Sequence, residues 1–163
     1  MVFYLLQEGE EGYDPEQTHG LVCAITDQSG GIQWYNGSNI RTRVTKLDVG
    51  TGSDNTNVII KAQGATETEY AAGLAKACTD GGYSYWYLPS DAELQIMCKN
   101  RKAINTSAQL NGGDSFSVVV CWSSSEFFTN SSFDVSHIRK FPFVGEHYAL
   151  KSDTHLVGAI RSF

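Results

Sequence analysis

The chain has little that would place it in a membrane, on nucleic acid or around a zinc ion. No apolar run approaches the roughly 18 residues that span a bilayer. Twelve Lys and Arg stand against 18 Asp and Glu, a formal charge of −6, which excludes the broad basic face that nucleic acid requires. Proline is scarce, three residues beside sixteen glycines, and that balance points to many tight turns rather than a helical bundle. The four cysteines, Cys23, Cys78, Cys98 and Cys121, form no C-x-x-C pair, so a structural zinc site is not expected. Cys23 lies in the apolar run 21–25 and Cys121 ends the run 118–120, and both read as small core residues, with one disulfide of unassigned pairing among the four cysteines as the alternative. A basic start and a small-residue cleavage site are also missing, so no signal peptide is expected. The chain reads as a protein without a leader or as a domain of a longer exported chain. In the second case it reaches a cell or virion surface through its parent chain or a partner.

What is present fits one domain over 1–163. Hydrophobic residues make up 41% and charged residues 18%, the profile of a packed globular chain. Strands are expected at 2–7 and 21–26, with a turn at Asp27-Gln28-Ser29-Gly30-Gly31 and a short extended piece at 32–35. The polar loop 51–55 precedes a helix reaching about Gln63, with Val58, Ile59 and Ala62 on one face. Thr66-x-x-Glu69 and Ser90-x-x-Glu93 match the capping box, in which a hydroxyl and a Glu satisfy each other's backbone amides. Pro89 keeps Leu88 extended, so 85–88 reads as a strand stopping at the second of these helices. From Val118 onward only strand and loop are legible, at 118–122, 133–138, 148–151 and 156–163. Strands, then helices, then an irregular β tail predict an α+β fold.

Several strings carry a resemblance. They are His19-Gly20-Leu21-Val22-Cys23-Ala24, Gly31-Ile32-Gln33-Trp34, Gly50-Thr51-Gly52, Trp86-Tyr87-Leu88-Pro89-Ser90, Trp122-Ser123-Ser124-Ser125-Glu126 and Ala159-Ile160-Arg161-Ser162-Phe163. In this order they resemble the DUF1566 family, also called the Legionella collagen-like protein C-terminal domain family, over essentially the whole chain. The resemblance implies a C-type-lectin-like fold with paired terminal strands, two main helices beside the sheet, and a loop-rich C-terminal half that builds a binding face. It also implies ligand binding at bacterial or viral surfaces, as in adhesion domains and the variable proteins of diversity-generating retroelements. In that family an aromatic residue usually precedes the Trp-Ser-Ser-Ser-Glu string, where this chain has Cys121.

Chemistry-bearing patterns are few. Ser123-Ser124-Ser125 is not the Gly-x-Ser-x-Gly elbow of a nucleophile, and reads as hydroxyls satisfying a turn. Gly50-x-Gly52 lacks the Lys-Ser or Lys-Thr of a phosphate loop. Asp54, Asn55 and Asn57 read as helix-capping residues rather than calcium ligands, since the EF-hand spacing is missing. His137, His147 and His155 show no metal-ligand spacing. The lectin-like oxygen-using enzymes need two close cysteines near the C-terminus, and none follows Cys121. No catalysis, metal or cofactor is therefore expected.

The tail is rich in aromatics. Phe127, Phe128, Phe133, Phe141, Phe143 and Phe163 are six of the eight phenylalanines. Phe133 and Val135 alternate with Asp134 and Ser136 and are expected to face inward. Phe127, Phe128, Phe141 and Tyr148 are hard to bury together, and loop-borne aromatics provide contact area with few rotatable bonds. A displayed region at about 123–157 is expected, with Phe127, Phe128, Thr129, His137, Arg139, His147, Tyr148, Ser152, Asp153 and His155 as ligand-contacting residues. Adenine-directed mutagenesis of Asn codons cannot produce Gln, Met, Trp, Lys or Glu. After Trp122 the chain has no Gln, Met or Trp, which leaves Glu126, Lys140, Glu146 and Lys151 as fixed scaffold positions. The expected partner is a protein ligand or cell-surface receptor. The alternatives are a fixed adhesin for glycan or sulfated polysaccharide, using Arg41, Arg43 and Lys46, and a structural tip or assembly domain.

Overall fold

The computed structural model describes residues 1–64, 69–116, 119–128, 134–143 and 145–163. It is a mixed α+β chain, with three α-helices and two small antiparallel sheets among the described residues. Strand β1 (Val2–Leu5) leads to β2 (Gly20–Cys23), then α1 (Gly52–Gln63), α2 (Ala71–Ala77), a 3₁₀ turn (Asp80–Gly82) and α3 (Asp91–Leu110). Strands β3 (Val120–Phe127), β4 (Val135–Lys140), β5 (His147–Leu150) and β6 (Ile160–Ser162) follow. No described helix is long and apolar enough to cross a membrane.

The first sheet has the order β1-β2-β6. The two terminal strands therefore share a sheet but are not partners, because β2 lies between them. This corrects the expected pairing. Its cause is register: Leu21 pairs with both Tyr4 and Ser162, so β2 uses both of its edges. Alternation along β2 places Leu21 and Cys23 in one apolar cluster and Val22 in another, as strict side-chain alternation in a strand demands. The helices and the second sheet, in the order β3-β4-β5, close these two clusters from either side. All four cysteines are buried and unpaired.

Helix α3 starts as its sequence predicts. Ser90 Oγ accepts the Glu93 amide at 3.3 Å, and Glu93 returns a carboxylate oxygen to the Ser90 amide at 2.7 Å. Thr66 of the other expected capping box lies outside the described residues, and α2 begins only after Tyr70. In α1 the buried stripe is Asn55, Thr56, Ile59 and Gln63, while Val58 is exposed. Polar residues occupy this face because they satisfy neighbouring backbone. Thr56 Oγ1 accepts the Leu88 amide at 3.0 Å, and Asn55 Nδ2 donates to the Lys46 carbonyl at 2.9 Å. Residues 85–88 do not form the expected strand. Only Tyr87 bridges, to Ile160, while Tyr85 sits in left-handed backbone at φ 68° with 82% of its surface exposed.

Gly50-Thr51-Gly52 cradles one of the protein's own carboxylates. The Gly50 amide donates to Glu93 at 2.9 Å. A Cβ at residue 52 would lie 2.3 Å from Glu93 Oε2 and 2.8 Å from the Ser90 amide. Glycine is required here by the close approach of α1 to the start of α3.

Candidate binding face

The Trp122–Glu126 string explains how the C-terminal sheet is anchored. Trp122 pairs with Ile138 and Glu126 with Ser136, so β3 uses three residues where β4 uses one. Ser123, Ser124 and Ser125 leave the ladder as a bulge and bond elsewhere. The Ser124 amide donates to the Pro89 carbonyl at 2.7 Å, and Ser125 Oγ donates to the Lys46 carbonyl at 2.9 Å and accepts the Asp91 amide at 3.1 Å. Trp34 Nε1 donates to the Ser123 carbonyl at 2.9 Å. The three serines are fully buried staples between β3, the loop 41–48 and the head of α3.

Glu126 is the hub of this anchor. Its buried carboxylate accepts the Thr42 hydroxyl at 3.1 Å and the Arg43 amide at 2.7 Å, and it pairs with the buried Lys151 ammonium. The Lys151 ammonium also sits 4.6 Å above the Trp34 ring. Burial pulls this ammonium below its ordinary pKa, while Glu126 and Asp134 oppose that shift. A second buried pair joins Arg139 of β4 to Asp91 at the start of α3, with Arg139 Nε 2.8 Å from Asp91 Oδ1.

The face opposite Glu126 and Ser136 carries Arg139 and His137 beside Asp91, and beyond them it is partly exposed. Phe127, Val135 and Leu150 form one cross-strand row, and His137 and Tyr148 the next. The Phe127 and Tyr148 rings are 4.2 Å apart. His137 meets Tyr148 edge-on at 4.8 Å and Phe127 at 5.7 Å. Tyr148 is 40% exposed and Leu150 50%, with Phe127 and Val135 half-buried. Phe127, Val135, Tyr148 and Leu150, from three strands, thus make a partly exposed aromatic and aliphatic patch beside the buried His137. Tyr148 donates its hydroxyl to Glu146 at 3.0 Å. Burial raises the pKa of that hydroxyl, and the Glu146 carboxylate raises it further.

Of the residues expected at a binding site, the structure brings Phe127, His137 and Tyr148 together. His137 is only 4% exposed and Arg139 3%. Arg139 is committed to Asp91, which corrects its expected role as a displayed contact. Phe128 is half-buried, with the Arg41 guanidinium 3.9 Å above its ring. His147 alternates onto the other side of the sheet, opposite Ile138. Ser152 and Asp153 are exposed in the turn after β5. Asp153 holds the outer edge of that strand: Leu150 donates its amide to Asp153 Oδ2 at 3.2 Å and accepts the Asp153 amide at 2.8 Å. The Leu150 backbone is thereby already paired at that edge. His155 packs edge-on against Trp122 at 4.6 Å and bridges Ile32, separated from β5 by β3 and β4. Thr129 and Phe133 lie outside the described residues.

Two further expectations are corrected. Phe141 is fully buried and packs 5.9 Å from Phe116. The alternation in β4 runs in the opposite phase, with Ser136 buried and Val135 on the partly exposed face. Ser136 tolerates burial because its hydroxyl donates to the Ser125 carbonyl at 2.8 Å. Val135 and Leu150 are the face residues that sequence reasoning missed. The signal for Leu150 was its spacing of two from Tyr148 on an expected strand.

Five surface cavities of 280–450 Å³ lie elsewhere, and none is lined by any of the ten expected contact residues. No three His, Cys, Asp or Glu side chains converge as metal ligands among the described residues. No protein-family model matches the chain, and no curated protein matches it in sequence.

Proposed function

We propose that this chain is a C-type-lectin-like, non-catalytic binding domain. In this reading it is the variable protein of a diversity-generating retroelement, and its C-terminal strands display a binding face for a protein ligand. The observation that carries the reading is the partly exposed patch of Phe127, Val135, Tyr148 and Leu150, with the buried His137 ring packed against Phe127 and Tyr148. Small ligands are held in concave pockets. Surface patches rich in aromatics suit protein partners, which bury about 800 Å² on each side. Two of the four positions that adenine mutagenesis cannot produce, Glu126 and Lys151, are paired with each other in the anchor. That arrangement supports a division between fixed scaffold and replaceable face. A fixed adhesin for sulfated polysaccharide is the rival reading. It would use the cavity of about 280 Å³ that Arg43 and Lys46 line, but Asp54 shares that cavity and stands 3.7 Å from the Lys46 ammonium.

The test is to sequence the 3′ segment of the gene across a population. Under this reading, substitutions concentrate at face positions such as Phe127, Val135, Tyr148 and Leu150, while Trp122, Glu126 and Lys151 stay fixed. Flat variation along the chain refutes it and favours the fixed adhesin.

A further inference from the structure

The face contains a buried titratable group for which its neighbours leave no hydrogen bond. His137 Nδ1 is buried and has no hydrogen-bond partner. The nearest carboxylate oxygen, Asp91 Oδ1, is 3.8 Å away, beyond the roughly 2.7–3.2 Å of a hydrogen bond. That oxygen already accepts Arg139 Nε. The other side of the imidazole is set by the edge-on contacts to Tyr148 and Phe127. The neutral ring is therefore held between an apolar pair above and an ion pair below, bonded through Nδ1 to neither.

We propose that His137 is an acid-sensitive switch for this face, in which protonation draws the ring toward Asp91 and loosens the Phe127–Tyr148 contact. Both nitrogens of an imidazolium are donors, and a charged donor left unpaired in a buried site is costly. Closing the gap to Asp91 satisfies it with a charge-assisted bond. The same movement withdraws the edge on which the two aromatic rings rest. The charged and titratable groups around the ring are Asp91 from α3, Arg139 from β4, Glu146 from the turn before β5 and Tyr148 from β5; β3 contributes the uncharged Phe127. Asp91 and Glu146 favour protonation, Arg139 opposes it, and burial outweighs them to hold the group below its ordinary 6.5. The ring is thus neutral near pH 7 and charges on acidification. As a control on binding, the switch rests on the docking role proposed above, and it would release a protein partner in an acidic compartment.

The experiment reads the free chain, so it stands apart from whether the face binds a partner. The imidazole signals are titrated by NMR from pH 8 to pH 4, and the cross-relaxation between the Phe127 and Tyr148 rings is followed in the same samples. The expected result is a His137 midpoint below 6.5, with the ring-to-ring signal weakening at the same midpoint. In His137→Gln the ring-to-ring signal should stay constant through that range. Constant ring contacts across the His137 transition overturn the proposal. So does a loss that persists in His137→Gln, because a carboxylate would then be its source. If that variant does not fold, agreement or disagreement of the two wild-type midpoints still decides.

Discussion

Replacing Lys151 with Met tests whether the Glu126 hub holds the C-terminal sheet in place. Met keeps an unbranched apolar stem and removes the ammonium, with its charge and its hydrogen bonds to Glu126 and the Ile40 carbonyl. Breaking a buried ion pair by deleting one partner costs about 3–5 kcal/mol, because the other charge stays in a low-dielectric site. Here the stranded carboxylate keeps the Thr42 hydroxyl and the Arg43 amide, which favours the lower end of that range. Loss of the ammonium over Trp34 adds about 0.5–2 kcal/mol. The sum is ~4 kcal/mol, or a fall in Tm of roughly 8–16 °C for a chain of this size. Glu126→Gln removes the carboxylate beside Lys151 and should cost a similar amount. The double variant removes both charges together, so its loss should fall short of the sum of the singles by about 2 kcal/mol or more. Urea denaturation of the four proteins measures this cycle. Additivity within about 0.5 kcal/mol would refute the reasoning and assign the anchor to the backbone bonds of the loop 41–48 instead.

Four further outcomes follow from contacts elsewhere in the chain. Phe127→Ser and Tyr148→Ser should leave the cooperative fold intact by circular dichroism, since both residues are partly exposed. A protein ligand identified for the wild-type chain should bind each variant at least tenfold more weakly by calorimetry. Gly52→Ala should cost about 1–3 kcal/mol in urea denaturation, the usual penalty of overpacking, because its Cβ would press on Glu93 Oε2 and the Ser90 amide. Burial raises Glu93 from 4.5 to about 7 against its hydrogen bonds, so the folded state holds a proton that the unfolded state has lost. Stability should therefore fall as pH rises from 4.5 through 7, by up to ~3 kcal/mol, and Glu93→Gln should flatten that slope. His137 has the opposite sign: its lowered value costs stability as pH falls below 6.5.

The sequence was most legible where one local signal decided the structure. Ser90-x-x-Glu93 marked the start of α3, whose buried residues include Leu94, Met97 and Cys98. The terminal strands were legible as strands, but their neighbour was not, because pairing order depends on contacts between residues far apart in sequence. Phase was the weakest inference. In β4 the polar Ser136 is inside and Val135 is on the partly exposed face, since a buried carbonyl from the β3 bulge needed a donor and found the Ser136 hydroxyl. Arg139 read as a displayed contact and Lys151 as a fixed scaffold position, and neither reading found a buried ion pair. Their carboxylate partners, Asp91 and Glu126, are 48 and 25 residues away in sequence, and no local pattern connects them.

The arrangement of β3, β4 and β5 gives different tolerances to adjacent residues. On β3, Glu126 points into the ion-paired anchor and Phe127 into the partly exposed patch. On β4, Ser136 bonds the bulge while Val135 and His137 line the face. Substitution at a half-exposed face position loses part of one side chain's burial, and surface changes commonly stay within about 0.5 kcal/mol. Substitution one residue along leaves a buried charge or carbonyl unsatisfied, at several times that cost. In the proposed reading, exchanges at Phe127, Val135, Tyr148 and Leu150 spare the Glu126–Lys151 pair and the Ser136 bond to the β3 bulge, which lie on the other face of the strands. His137 is the exception, since it belongs to the face by its ring contacts and to the Asp91–Arg139 pair by its depth. A replacement there should alter both binding and stability, and that coupling is what lets one proton act on the surface above it.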